Sequence, residues 1–375
     1  MYKILVSCLS YDNGQSGISD YINHTIEELS KYHLLDVIIL KKDVSIFPVK
    51  NKNLNFIEVS DKLARPLFSM LWHLFILPFK IKKVYDLIFL PAGNRRLLCH
   101  YPIFTITTFH DLSQFHIEQK YDRFRMFYIQ RLIPFFLKKV HIAVAVSKAT
   151  KDDMIKFYKM DEKKIKVAYN GYDKERFNTK PATKTTREIL GFDKKYILYV
   201  ARIEHPGKNH MNLIKAYEML PEENKEEYNL VCAGGFKERS EEVLIYARNS
   251  KDHSRLIFPG FIPDEDMSDL YKKASLFAMP SLYEGFGIPL VEAMACNIPV
   301  ISSDRGPLPE VGEDAVLFFN PDKPEDIKDK IVLIITNEKL KEELTRKGLE
   351  QVKKFNWKKH ADKIINIFEE YHEKH

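Results

Sequence analysis

The chain has 375 residues, 45% hydrophobic and 29% charged, with 58 Lys and Arg against 52 Asp and Glu, a net charge of +6. These values are those of a soluble globular protein of about two domains. The surplus suits an anionic substrate or an anionic membrane surface, and it is too small to imply nucleic acid. Cys8, Cys99, Cys232 and Cys296 lack CxxC spacing and lie in or beside apolar runs, so buried free thiols in a reducing cytoplasm are expected. The first residues do not form a signal peptide, and the most apolar run, 67–79, is too short to span a bilayer.

Residues 4–7 read as a strand, followed by the polar loop Asp12-Asn13-Gly14-Gln15-Ser16-Gly17 and by Ile18, Ile22, Ile26 and Leu29 at helical spacing. Strand, glycine loop and helix suggest a Rossmann-like unit, although the spacing is not GxGxxG. Strand-like runs recur at 37–40, 55–59, 86–90, 104–109 and 141–146, with helical patterns between several of them. This alternation argues for a mostly parallel, doubly wound sheet. Residues 62–83 predict one helix, apolar on most faces and ending in Lys80, Lys82 and Lys83. It reads first as a helix packed in its domain, and second as a basic, aromatic membrane-contact segment.

His110-Asp111 ends the strand 104–109, where side chains line the ligand crevice of parallel sheets. Residues 117–139 predict a long helix carrying Tyr121, Phe124, Phe127 and Tyr128 with Arg123, Arg125 and Arg131, bent or interrupted at Pro134. A core stripe with a solvated face and a surface for nucleic acid, lipid or acceptor both remain open for it. Ser147 is expected to cap the next helix, and 164–168 to form a last strand before Asn170-Gly171-Tyr172-Asp173.

The polar stretch 178–187 lacks apolar periodicity and is placed as the domain boundary. The strand 196–201 then runs into Arg202 and a loop carrying Lys208, with Leu213, Ile214 and Tyr217 on the helix beyond. Arg and Lys on one strand-to-helix connection suit diphosphate oxygens, although two such cations alone are more often solvated surface. Strands at 230–233 and 256–258 follow, the second leading to Pro259-Gly260-Phe261-Ile262-Pro263. Asp264-Glu265-Asp266 spells a D-x-D triplet, read as the cap of the next helix with Asp264 as the capping residue rather than as a metal site.

Residues 280–299, PSLYEGFGIPLVEAMACNIP, hold Glu284 and Glu292 eight positions apart. The strand-like run 275–279 enters the loop Gly285-Phe286-Gly287, and Ile288, Leu290, Val291, Ala293 and Met294 begin a helix. Such a helix start directs free N–H groups into the loop, a site for an anion. A plain βα turn is the bland alternative, and the framing glutamates favour the site.

This stretch closely resembles the signature of retaining glycosyltransferases of family 4, nucleotide-sugar enzymes of the GT-B group. The resemblance implies an α/β chain of two Rossmann-like, doubly wound domains with an interdomain cleft. The acceptor domain would span 1–180, with a helix over 357–375 crossing back to it, and the donor domain 181–356. By the same resemblance and by charge, Arg202 and Lys208 stabilise the departing diphosphate, assisted by backbone N–H groups near Gly287 and Ile288. Glu284 holds donor-sugar hydroxyls, Glu292 accepts from ribose hydroxyls, and Gly285 and Phe286 belong to the same donor loop. Phe261 and Ile262 lie beside the nucleotide base. In the first domain Gly17 faces the donor phosphates and the acceptor, and His110 donates to a sugar hydroxyl or stabilises developing charge.

The expected reaction is retaining transfer of a hexosyl unit from a GDP-, UDP- or dTDP-linked sugar to a hydroxyl of a glycan or lipid-linked saccharide. A mannosyltransferase of envelope polysaccharide synthesis is the first candidate. No metal and no cofactor are expected, because side chains and a helix terminus supply the positive potential. The expected partners are the two substrates and an anionic membrane surface, with no nucleic acid. The expected location is cytoplasmic, peripheral on the inner face of the membrane. Two rival readings are a non-catalytic nucleotide-sugar-binding partner of a transferase complex and another GT-B activity, a phosphorylase or an epimerase. Intact Arg202, Lys208, Glu284 and Glu292 count against the first. The lack of a recognisable cofactor lysine or epimerase histidine set counts against the second.

Overall fold

The computed structural model describes residues 1–373 apart from Gln15, Arg95, 118–122 and the side chain of Phe124. The chain divides into two compact units, one of Met1–Phe115, Gln119–Gly171 and Asn356–His375, the other of His116–Glu118 and Tyr172–Phe355.

The first unit is built on a seven-stranded parallel sheet of β1 (Lys3–Ser7), β2 (Leu34–Leu40), β3 (Leu54–Val59), β4 (Leu87–Leu90), β5 (Thr105–Phe109), β6 (Ile142–Ala145) and β7 (Ile165–Val167). Its order is β3-β2-β1-β4-β5-β6-β7. All residues of β4 and β5 are buried, as central parallel strands covered on both faces must be. The order reverses between β1 and β4, so the crevice of this unit opens at their carboxyl ends.

Helix α1 (Gly17–Ser30) starts at Ser16, whose side chain accepts from the Ser19 N–H. The single helix expected over 62–83 is broken into a short turn, α2 (Pro66–Phe75) and α3 (Leu77–Lys80). The cause is Pro78, which has no N–H to give the carbonyl of Leu74 one turn back. That carbonyl accepts instead from the N–H of Cys99 at 3.2 Å. Of the four cysteines, Cys8, Cys232 and Cys296 are buried free thiols as expected, while Cys99 is half-buried.

The helical pattern 117–139 is described from Arg123, so Tyr121 and the Phe124 side chain lie outside the described residues. It forms α4 (Arg123–Phe127), a π-helical turn over Tyr128–Leu132 and α5 (Ile133–Leu137). The N–H of Ile133 reaches five residues back to Tyr128, which places Pro134 in the first turn of a fresh helix. Helix α6 (Lys148–Tyr158) is capped by Ser147 as expected.

The second unit has a six-stranded parallel sheet of β8 (Lys195–Val200), β9 (Tyr228–Ala233), β10 (Leu256–Gly260), β11 (Leu276–Met279), β12 (Val300–Ser303) and β13 (Leu317–Phe319). The order is β10-β9-β8-β11-β12-β13, with the reversal between β8 and β11. The helices are α7 (Thr186–Leu190), α8 (His210–Glu218), α9 (Glu222–Glu227), α10 (Ser240–Asn249), α11 (Asp264–Lys273), α12 (Ile288–Ala295), α13 (Leu308–Gly312), α14 (Pro324–Thr336) and α15 (Glu338–Gln351).

The polar stretch 178–187 belongs to this second unit. The Asp269 carboxylate anchors it by accepting from the N–H and hydroxyl of Thr183 and the N–H of Lys184. Asp264 does not cap α11. Pro263 occupies the capping position, and Asp264, Glu265 and Asp266 fill the first turn, where the helix dipole favours negative charge. The last helix, α16 (Trp357–His372), returns to the first unit and packs on α1.

Candidate functional site

In the second unit the two sequence motifs meet at the switch point of the sheet. β8 runs out into the loop of Arg202 and Lys208, and its neighbour β11 into the loop of Glu284 to Gly287. The two loops are riveted together. The amide of Asn209 donates to the carbonyls of Pro280 at 3.0 Å and Pro321 at 2.8 Å, and the N–H of Leu282 donates to the Gly207 carbonyl. The buried Tyr199 hydroxyl donates to the Lys208 carbonyl at 3.0 Å and lies 2.9 Å from Ser281 Oγ. Burial, and then the charge of Glu284, push the Tyr199 phenol well above its usual range, so it stays protonated.

Held this way, Lys208 points its ammonium at both oxygens of Glu284, at 2.7 and 2.9 Å. Arg202 is half exposed and lies 3.5 Å from Glu204. Beside them Gly287 takes φ +93° and starts α12, and an added Cβ would meet Leu308 at 2.7 Å. Pro289 has no N–H and that of Leu290 bonds back to the Gly287 carbonyl, so the helix start offers the backbone N–H groups around Gly287 and Ile288, in the loop that carries Glu284, an arrangement suited to an anion that also carries hydroxyls. Glu292 lies further along α12, half-buried, and accepts from the Tyr271 hydroxyl at 3.0 Å. Burial raises the Tyr271 phenol well above its usual range, with Glu292 adding to it, so Tyr271 is a fixed donor that orients the carboxylate.

The remaining donor-loop residues divide by exposure. Gly285 and Ile288 are half-buried in the loop and at the helix start. Phe286 turns its ring into the core, 5.3 Å from Phe355, so only its backbone faces the loop. Ile262 is buried at the exit of β10, whereas Phe261 beside it is 72% exposed. In the D-x-D triplet, Asp266 pairs with Lys184 and Asp264 lies 3.4 Å from Arg176, so its carboxylates are committed to separate cations. Among the described residues no group of three or more His, Cys, Asp or Glu is placed to hold a metal ion.

In the first unit Gly17 is the first residue of α1, and an added Cβ there would meet nothing within 4 Å. His110 leaves the end of β5 and packs edge-on against Tyr21 at 4.6 Å. Its Nε2 donates to the Pro91 carbonyl at 2.6 Å. A carbonyl only accepts, so Nε2 carries the hydrogen. Burial lowers the His110 pKa, which keeps the ring neutral and leaves Nδ1 with a lone pair. His110 thus offers an acceptor, not the donor expected of it. Asp111 orients locally, its carboxylate accepting from the Ser113 N–H at 3.0 Å.

Sequence reasoning passed over Tyr199 and Tyr271, whose roles rest on the contacts of their hydroxyls with Lys208, Ser281 and Glu292. It also passed over Arg96, which follows β4 at the switch point and donates to the Leu9 carbonyl at 2.6 Å.

The family profile of glycosyl transferases group 1 matches residues 183–351, and that of glycosyltransferase family 4 matches residues 16–176. The O-antigen chain mannosyltransferase B of Escherichia coli is 30% identical over 272 residues, 70% of this chain and 69% of that protein. The chain belongs to glycosyltransferase family 4.

The transferase is also 32% identical over 295 residues to a serotype-specific mannosyltransferase WbdA of Escherichia coli, 74% of this chain but only 34% of that protein. Among solved structures, sucrose-phosphate synthase from Thermosynechococcus elongatus matches 100% of both chains with a TM-score of 0.80 and 20% identity. HepE from Anabaena, solved with UDP and glucose, matches 99% of this chain and 100% of its own with a TM-score of 0.75 and 18% identity. These structures share the GT-B fold with the transferase, two Rossmann-like domains each on a parallel sheet.

Proposed function

We propose that this glycosyltransferase moves a mannosyl unit from a nucleotide sugar, GDP-mannose in the first instance, to a hydroxyl of a glycan or lipid-linked saccharide in envelope polysaccharide synthesis. The observation that carries the reading is the cluster of Lys208, Glu284, Arg202 and the start of α12 at the switch point of the second sheet. The mannosyl choice rests on the O-antigen mannosyltransferases among its relatives.

Negative charge grows on the leaving diphosphate as the glycosidic bond breaks. Arg202, Lys208 and the N–H groups of Gly287 and Ile288 answer it. Glu284 holds donor hydroxyls and favours positive character at the ring, and Glu292, fixed by Tyr271, takes the ribose hydroxyls. Gly285 and the backbone of Phe286 let the chain approach the donor closely, and Phe261 and Ile262 border the base. In the first unit Gly17 leaves room for a ligand at the start of α1, and His110 accepts from a hydroxyl through Nδ1. The reaction proceeds with retention by same-face attack assisted by the leaving phosphate, with no metal and no cofactor. The protein works in the cytoplasm, in peripheral contact with an anionic membrane.

The test is incubation of the purified chain with GDP-, UDP- and dTDP-sugars and a saccharide acceptor, with the new linkage assigned by NMR. A product of the donor's own anomeric configuration supports the reading, and an inverted product overturns retention. Nucleotide-sugar binding with neither transfer nor hydrolysis would favour the non-catalytic partner.

A further inference from the structure

Of the large apolar side chains exposed on the second unit among the described residues, only Phe236 and Phe261 are aromatic, at 48% and 72% exposure. Phe236 stands three residues past β9, and Phe261 directly follows β10. Both leave the carboxyl ends of neighbouring parallel strands, the side of the sheet on which Arg202 and Lys208 leave β8. One exposed ring is ordinary. Two on one edge beside a charged site call for an occupant.

The three strand exits are joined through their backbones. The N–H of Ala201 donates to the Ala233 carbonyl at 3.0 Å, and that of Gly234 to the Gly260 carbonyl at 2.8 Å. Phe236 is paired with Ile203, the residue after Arg202. The N–H of Ile203 donates to the Gly235 carbonyl and that of Lys237 to the Ile203 carbonyl, both at 3.0 Å. Ile203 is fully buried, so the backbone of Phe236 is fixed to the core. The Phe236 ring lies against Gly260, where an added Cβ would stand 3.6 Å from its edge, and Gly260 is the residue before Phe261. The two rings are thus placed before any ligand arrives, which spares an ordering cost on binding.

Position along the sheet edge identifies the occupant. The order β10-β9-β8-β11 puts Arg202 and Lys208 past β8, Phe236 past β9 and Phe261 past β10. Neighbouring strands lie about 4.8 Å apart, so the rings stand about one and two strand spacings from the cations. A nucleoside diphosphate held at its phosphates by Arg202 and Lys208 carries its base to such a reach. Every nucleobase has a π-face that stacks on an aromatic side chain. The stacked area grows with the base, and a purine presents two fused rings, so an edge with two phenylalanines favours a purine over a pyrimidine.

We propose that Phe236 stacks, together with Phe261, on the nucleobase of the donor, and that the pair selects a purine. This rests on the nucleotide-sugar donor of the proposed function and on Phe261 beside its base. It adds Phe236, which stands outside the donor motifs, and a class of base. Binding then divides in two. Arg202 and Lys208 hold the diphosphate through charge, and the rings hold the base through contact that salt does not screen.

The experiment is calorimetric titration of the full chain with GDP, UDP and inorganic pyrophosphate, repeated on Phe236→Ala, Phe236→Leu and Phe236→Tyr. The side chain is exposed, so all three variants should keep the wild-type melting temperature. The wild type should bind GDP more tightly than UDP. Phe236→Ala and Phe236→Leu should each weaken GDP on the order of tenfold, and Phe236→Tyr should restore it. Pyrophosphate should bind all four proteins alike. If the wild type binds GDP and Phe236→Ala binds it equally, the stacking is overturned while the donor reading stands. If Phe236→Ala weakens pyrophosphate as much as GDP, the residue shapes the Arg202 loop and does not meet the base. Tighter binding of UDP than of GDP by the wild type overturns the selection of a purine. If only the acceptor KM rises in Phe236→Ala, the ring faces the acceptor and the inference is wrong. If the wild type binds neither nucleotide, the nucleotide-sugar reading itself falls.

Discussion

Lys208 and Glu284 stand 76 positions apart in sequence, yet the ammonium of one lies 2.7 and 2.9 Å from the two carboxylate oxygens of the other. Their side chains are only 17% and 14% exposed. In the unliganded protein each therefore neutralises the other, and a donor must share the pair. Breaking a buried pair on one side strands a charge, which costs roughly 3–5 kcal/mol before relaxation, whereas removing both sides costs far less. Lys208→Met should thus destabilise the second unit more than Lys208→Met with Glu284→Gln. Denaturant unfolding in a double-mutant cycle measures the coupling, and additive losses would contradict the pairing.

The charged residues of the donor site should fail in different ways. Arg202→Ala removes a cation from a group whose charge grows during reaction, so turnover should fall by about a hundredfold, about 3 kcal/mol. Glu284→Gln should resemble it. Glu292→Gln touches hydroxyls that do not change, so the donor KM should rise with a smaller effect on kcat. Tyr271→Phe, which frees the Glu292 carboxylate to rotate, should follow Glu292→Gln. Steady-state kinetics at saturating acceptor separate the two groups, and equal kcat losses in all four variants would refute the assignment.

Three buried histidines make the protein sensitive to mild acid. Burial lowers His73 and His210 to about 3 and His360 to about 4. The unfolded chain takes up these protons near pH 6.5 and the folded chain does not, so stability is full above that pH and falls below it. At pH 5 each ring costs on the order of 2 kcal/mol. His73 and His360 belong to the first unit and His210 to the second, so the first unit should give way first. The two tryptophans, Trp72 and Trp357, also belong to the first unit. Tryptophan emission should therefore shift at a higher pH than that at which far-UV circular dichroism is fully lost. Coincident transitions would count against the separation.

Two glycines should respond oppositely to alanine. Gly234 has φ +147°, and an added Cβ would lie 2.0 Å from the Ala201 carbonyl, so Gly234→Ala should unfold or severely destabilise the second unit. Gly17 faces open space, so Gly17→Ala should keep or slightly raise the melting temperature. Any loss of transfer in Gly17→Ala then reports a ligand that comes within reach of that position. Full activity would remove Gly17 from the site.

Transfer should survive EDTA. Arg202, Lys208 and the start of α12 supply positive charge, while Asp264 and Asp266 are each paired with a cation. Activity lost to EDTA and restored by magnesium or manganese would require those carboxylates to be released for a metal.

The strands were legible in sequence because each is a short apolar run bounded by polar loops, and the reading of two Rossmann-like sheets agrees with the structure. Arg202, Lys208 and Glu284 were legible because they stand in a specific motif, and two of them prove to touch. What was hidden has physical causes. The apolar pattern of 62–83 runs straight through Ile76, and only the missing N–H of Pro78 breaks it. Asp264 has the side chain of a cap but sits one residue inside the helix. Phe286 stands between two glycines, and its direction is set by Phe355, 69 positions away. The hydrogen on His110 is decided by the Pro91 carbonyl, which no local pattern encodes.

The return of α16 to the first unit has a consequence for how the chain is made. The Nε2 of His360 accepts from the Tyr21 hydroxyl, and Tyr2 donates to Glu369, so the earliest residues are completed by the latest. Gly171, where the chain leaves the unit, packs so closely on Trp357, where it returns, that an added Cβ would lie 2.3 Å from the Trp357 nitrogen. During synthesis the amino-terminal sheet must wait for the whole second unit to emerge, roughly 10–40 s at ordinary elongation rates. Through that interval the inner face of α1 lacks its cover, so the nascent protein is open to chaperones and proteases in a way the finished one is not.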